Sequence, residues 1–166
     1  MMGRYASELG CYAAVAEPVS LLDLLPTLLD LAGVPESERL PAPGRSLFER
    51  GERAVLSEYH VEKVRAPCFM VRRGRWKYVL VHGHDSQLFD LEADPGEWHN
   101  RSGDEALRDV EAELQALVLD TLDPEAIAAA GHASVRRRDL IRRAMARNGT
   151  RWDRTPDFDG TKLYVR

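Results

Sequence analysis

Cysteine is scarce in this chain: only Cys11 and Cys68 occur among 166 residues, which excludes a disulfide scaffold. A reducing compartment, the cytoplasm, is therefore expected. The two sequons, Asn100-Arg101-Ser102 and Asn148-Gly149-Thr150, then read as chance matches. Long apolar runs are missing as well. The longest, around Leu21 to Val34, is interrupted by Asp23, Pro26, Thr27 and Asp30, so no membrane partner is expected. A secretory leader is not expected either, because Glu8 falls inside any apolar segment from Met1 to Ala16. There is no internal repeat, no Gly-x-Ser-x-Gly elbow and no phosphate-cradling glycine loop. Nor is there an excess of positive charge: the formal net charge is −4 and the pI is about 5.8. What remains is 44% hydrophobic and 30% charged, enough for one globular domain. A domain of this size buries roughly two thirds of the surface exposed by its unfolded chain.

The most apolar segment is Pro18 to Gly33. Asp23 is placed to cap a helix with Pro26 in its first turn, and Gly33 and Pro35 to stop it. That helix is apolar nearly all round and calls for cover on more than one side. Residues 35–51, rich in proline and glycine, read as a loop. A strand region follows. Ala54 to His60 reads as a first strand, and Cys68 to Arg73 and Arg75 to His82 flank Gly74 as a hairpin. Gln87 to Leu91 makes a fourth. Strands linked this tightly form an antiparallel meander, because parallel pairs need long crossovers. Ser102 and Glu105 then read as the capping box of a helix carrying Leu107, Val110, Leu114, Leu117 and Val118 on one face. A short helix from Asp123-Pro124 to Gly131 and another from Ser134 to about Asn148 are expected next. The fold class is α+β: a small four-stranded antiparallel sheet with flanking helices.

Several groups invite a chemical reading. His82, His84 and Asp85 could start a metal site, but they share a hairpin loop and no second ligand pair shows matching spacing. A polar turn is the better reading. Cys68 has Arg72 four residues on, yet its apolar strand neighbours favour a small buried hydrophobe over a nucleophile. Eight arginines from Arg136 to Arg154 form a basic stretch. Val135, Ile141, Ala144 and Met145 should give that helix a buried face, leaving the arginines as its wet side. With an acidic chain around them, no nucleic-acid partner is expected. The densest cluster is Ser57-Glu58-Tyr59-His60, a strand end that could present a carboxylate and an imidazole to a pocket.

Three stretches together resemble one family. Pro18 to Gly33 resembles the helix that follows the metal-binding motif in sulfatases. Ser57-Glu-Tyr-His60, Ala66-Pro67, Met70 to Tyr78 and Gln87 to Pro95, ending in Glu97 and Asn100, resemble the C-terminal small sheet of that family. Arg136-Arg-Arg138 with Trp152-Asp153, Pro156, Asp159 and Tyr164-Val-Arg166 looks like the C-terminal extension of choline sulfatases. The resemblance covers 17–166 and implies the C-terminal subdomain of a sulfatase-type α/β enzyme of the alkaline phosphatase superfamily. It implies three parts: residues 1–52 as the end of an α/β domain plus a loop, 53–131 as sheet and helix, and 132–166 as the extension.

The same resemblance implies what the chain lacks. Sulfatases use a formylglycine made from the cysteine of a Cys-x-Pro-x-Arg or Cys-x-Ala-x-Arg motif, with a divalent cation, calcium or magnesium. Neither Cys11-Tyr-Ala-Ala-Val15 nor Cys68-Phe-Met-Val-Arg72 fits, and the aspartates that hold the cation have no counterpart. No catalytic and no metal-binding residue is therefore assigned. Formylglycine and cation are expected only in a complete enzyme, which would hydrolyse a small ester such as choline sulfate. In it Glu58 and His60 are the substrate-lining candidates. The expected partners are a sulfatase catalytic domain and, through the C-terminal extension, further copies of the chain. The alternative is a non-catalytic binding or oligomerisation module.

Overall fold

A computed structural model describes residues 17–49, 51–60, 64 and 66–150. Cys11 and the Trp152 to Arg166 part of the extension lie outside the described residues. Four strands, β1 (Ala54–Tyr59), β2 (Cys68–Arg73), β3 (Trp76–Val81) and β4 (Gln87–Asp90), follow one another across one sheet in the order β1-β2-β3-β4. Every neighbouring pair is antiparallel, as tight connections require. β2 turns into β3 through Gly74-Arg75, with Gly74 at φ 53°, where a two-residue hairpin takes glycine.

Alternation along the strands sorts the sheet into two faces. Phe69, Val71, Tyr78 and Leu88 point to one and are buried, together with Leu114 and Val118 of helix α2 (Arg108–Leu119). This is the core. The opposite face carries Ser57, Tyr59, Cys68, Met70, Arg72, Lys77, Val79 and Val81, none of them buried, and Phe89, which is.

Helix α1 (Leu24–Leu31) has the expected extent but not the expected cap. A 3₁₀ turn, Leu21–Asp23, precedes it, and Ser20 is the capping residue. The Asp23 side chain reaches back to the Ser20 N–H at 2.7 Å and is committed elsewhere as well, so it cannot cap α1. The stop is as expected: Gly33 at φ 66°, with Val34 N–H on Leu29 O and Gly33 N–H on Asp30 O, is a Schellman ending. Around this helix Leu21, Leu22, Leu24, Leu25, Leu28 and Leu31 are all exposed, Leu21 by 85%.

Two further expectations need correction. Ser102 does not cap α2; Asp104 accepts from Ala106 N–H instead, ahead of a 3₁₀ turn at Glu105–Leu107, and the Ser102 hydroxyl is bonded to Glu111. And the helix expected to end at Gly131 runs on: α3 spans Pro124–Arg147 without a break. A glycine costs a helix interior about 1 kcal/mol, which the alanines around Gly131 absorb. The chain separates into two units, Met1–Glu125 and Ala126–Arg166, with the boundary in the first turn of α3. No residue of α3 is buried, and Val135 and Ile141, expected on a covered face, are more than half exposed. Burial had been inferred from apolar character alone, which marks a face to be covered without supplying its cover.

Candidate functional site

The end of β1 brings the two predicted residues together. Glu58 and His60 stand two apart, so they share a face, and His60 Nε2 lies 2.9 Å from Glu58 Oε2. The imidazole also packs on Phe69, with ring centroids 5.3 Å apart. Glu58 is the cross-strand neighbour of Phe69, which puts the pair on the core side of the sheet, at its solvent-exposed rim. Ser57 and Tyr59 point the other way. The pair can accept or donate a proton or hold a cation, and it reaches solvent.

Two other histidines lie beside carboxylates. His82 lies 3.2 Å from Glu125, and His99 lies 3.3 Å from Asp94. Among the described residues no group of three His, Cys, Asp or Glu side chains could hold a metal ion. Cys68 is a half-buried free thiol with Tyr59 and Val81 as its cross-strand neighbours. Among the described residues the donor set does not fit a divalent cation.

Sequence reasoning missed the buried ionic hub that positions α1. Asp23 is completely buried, yet Arg53 Nη2 binds both of its oxygens at 2.8 and 2.7 Å, and the Ser20 and Arg45 N–H groups add two more bonds. Burial pushes the Asp23 carboxyl up, but the bonds from Arg53, Ser20 and Arg45 outweigh it and hold it below its ordinary value. Thr27 extends the hub by donating to Asp23 O at 2.6 Å and accepting from Leu47 N–H. Gly44 fits beside it because a Cβ there would meet Leu22 O at 2.0 Å. The signal was an aspartate in an apolar run and an arginine thirty residues on, and nothing local joins them.

The stretch Gln87 to Asn100 is likewise held by specific bonds. Asp90 is clasped by the Arg75 guanidinium, which keeps its carboxyl low against the opposing effect of burial. Lys77 pairs with Glu97, the one non-glycine residue at positive φ among those described. Asn100 Oδ1 accepts from the Leu88 and Ser102 N–H groups at 2.9 Å, while its Nδ2 donates to Ser86 O. Ser86, Ser102 and Gly103 N–H converge on Glu111, tying the loop to α2. The Asn100 amide is thus employed in bonds within the fold. Replacing Asn100 by Ala should cost about 1–3 kcal/mol, read from urea unfolding, because two backbone donors lose their acceptor.

Comparison with known proteins agrees with this arrangement. No protein-family model matches the chain. A choline-sulfatase of Rhizobium meliloti is 38% identical over 164 residues, covering 90% of this chain and 31% of its own length. Arylsulfatase K of Bos taurus is 37% identical over 101 residues, 52% of this chain and 19% of that protein. The solved structure of a 2-O GAG sulfatase superposes with a TM-score of 0.51 and 34% identity, over 68% of this chain and 26% of that one. The chain is a sulfatase-family C-terminal portion. It spans about a third or less of the curated relatives it matches. Seen as a sulfatase portion, the Gln87 to Asn100 motif is a folding device: Asp90, Glu97 and Asn100 are each spent on internal partners.

Proposed function

We propose that this sulfatase portion works within a choline-sulfatase-like sulfuric ester hydrolase, where it walls the substrate pocket and is not catalytic by itself. The observation that carries this reading is the pairing of a rigidly held α1 with six exposed leucines around it. Such a surface is costly in water and suits a helix that an α/β sulfatase domain would cover. The nucleophile and the cation would come from that domain. Choline sulfate is favoured among substrates because the choline-sulfatase match runs through 90% of the chain, against 52% for arylsulfatase K.

Glu58 and His60 are the residues proposed to line the pocket. A carboxylate facing a quaternary ammonium group makes electrostatic sense. Replacing Glu58 by Gln in the native-length enzyme should raise KM for choline sulfate several-fold with little change in kcat; an unchanged KM removes Glu58 from the pocket. The C-terminal unit is proposed to make contacts between copies in the cytoplasm. It carries ten Lys and Arg against four Asp and Glu, whereas residues 1–125 carry thirteen against twenty-three. The test of the substrate is sulfate release by the gene product purified from its source cells. Turnover of choline sulfate supports the reading; turnover of sulfated sugars alone overturns it.

A further inference from the structure

Arginines crowd the β2–β3 hairpin, and their charges are answered unequally. Arg73 pairs with Glu52 and Glu113 on one face of the sheet. Arg75 pairs with Asp90 and Glu92. Arg53 is taken by Asp23. Lys77, directly across from Arg72, is taken by Glu97. Like charges opposite one another on neighbouring strands repel, so Arg72 has the greater need of an anion. It forms no hydrogen bond or ion pair with any described residue, and its Nε is buried without a partner. A buried guanidinium donor left unsatisfied costs free energy that an acceptor would recover.

Arg72 also lines a cleft of about 350 Å³, together with Arg53, Arg75, Glu17, Glu52 and Glu92. That volume lies within the range of small-ligand sites. Of the three wall carboxylates, Glu92 is engaged by Arg75, Glu52 by Arg73, and Glu17 makes no ion pair with Arg72. We propose that this cleft is a binding site for a small free oxyanion, with Arg72 as its anchor. A sulfate or carboxylate group presents two oxygens at the spacing of a guanidinium edge and binds it bidentately. Arg53 and Arg75, already paired with Asp23 and with Asp90 and Glu92, shape the wall without competing for the same contact. The inference does not depend on the substrate assigned above, since neither Glu58 nor His60 takes part.

The test is a titration of sodium sulfate, and separately of sodium acetate, into the full chain at ionic strength held constant with chloride. Arginine Nε–Hε resonances are followed by NMR. The expected result is a saturable shift at Arg72 with small changes at Arg53 and Arg75. In Arg72→Lys, which keeps charge and stem, affinity should fall about tenfold; in Arg72→Gln, saturation should disappear while the amide spectrum stays folded. A shift that does not saturate, that chloride reproduces, or that survives in Arg72→Gln overturns the site. The native-length protein from source cells supplies the second arm, read as the rise in Tm with sulfate. A rise that Arg72→Gln abolishes supports a free oxyanion. No rise there means that a carboxylate of the protein itself fills the cleft, and the proposal fails.

Discussion

Replacing Asp23 by Ala should destabilise the N-terminal unit by about 3 kcal/mol or more, measured as a loss in urea midpoint at unchanged slope. Breaking a buried pair by removing one partner costs roughly 3–5 kcal/mol, because the other charge stays behind without its counterion. Arg53 keeps some contact with solvent, its side chain being 14% exposed, which argues for the lower end. The Ser20 and Arg45 N–H groups also lose their acceptor. Since domains are stable by only about 5–15 kcal/mol, this single change is a large fraction of the whole. It carries a pH signature. The native carboxyl titrates below its unfolded value, so its contribution is complete above the ordinary carboxylate range and is lost as pH falls through the lower, folded value. The wild-type chain should therefore lose stability in acid more steeply than Asp23→Ala.

Replacing Phe69 by Ala should cost about 3–5 kcal/mol, the usual range for emptying a buried aromatic site. Phe69 is fully buried at the centre of the sheet, opposite Leu80 on β3 and Glu58 on β1. Its ring is also the platform for His60. The same variant should therefore loosen the Glu58–His60 pair. Side-chain NMR of His60 checks this: its ring resonances should move toward free-imidazole values in Phe69→Ala. Unchanged resonances would mean that Glu58 alone orients the imidazole. The substitution thus separates the two supports of the candidate pocket residues, packing from beneath and a hydrogen bond from the side.

The sheet was legible in the sequence because its order follows from short connections and its turns from glycine at Gly74. The end of α1 was legible for a similar reason, since Gly33 supplies the left-handed residue that closes the helix; Gly149 does the same after α3. What was misread depends on competition. Ser102 has the right spacing to cap α2, but Glu111 reaches it across a loop and takes the hydroxyl. Asp23 has the right type to cap α1, but Arg53 and two backbone groups claim it first. Gly131 looks like a stop, and the helix continues because alanines on both sides favour it. In the candidate site, Glu58 and His60 were legible as a local motif. The isolation of Arg72 was not, for an arginine is lonely only by comparison with its neighbours, whose partners lie 15 to 40 residues away.

The central proposal is that this chain works as part of a larger enzyme, and it rests on the exposed leucines of α1 and on sulfatase matches that the chain covers only in part. The direct measurement is the mass of the gene product in source cells, by immunoblot with an antibody to Ser86 to Asn100. A band well above 18.7 kDa is the expected result, with sulfatase activity following that band through purification. A band at 18.7 kDa that hydrolyses choline sulfate on its own would contradict the account.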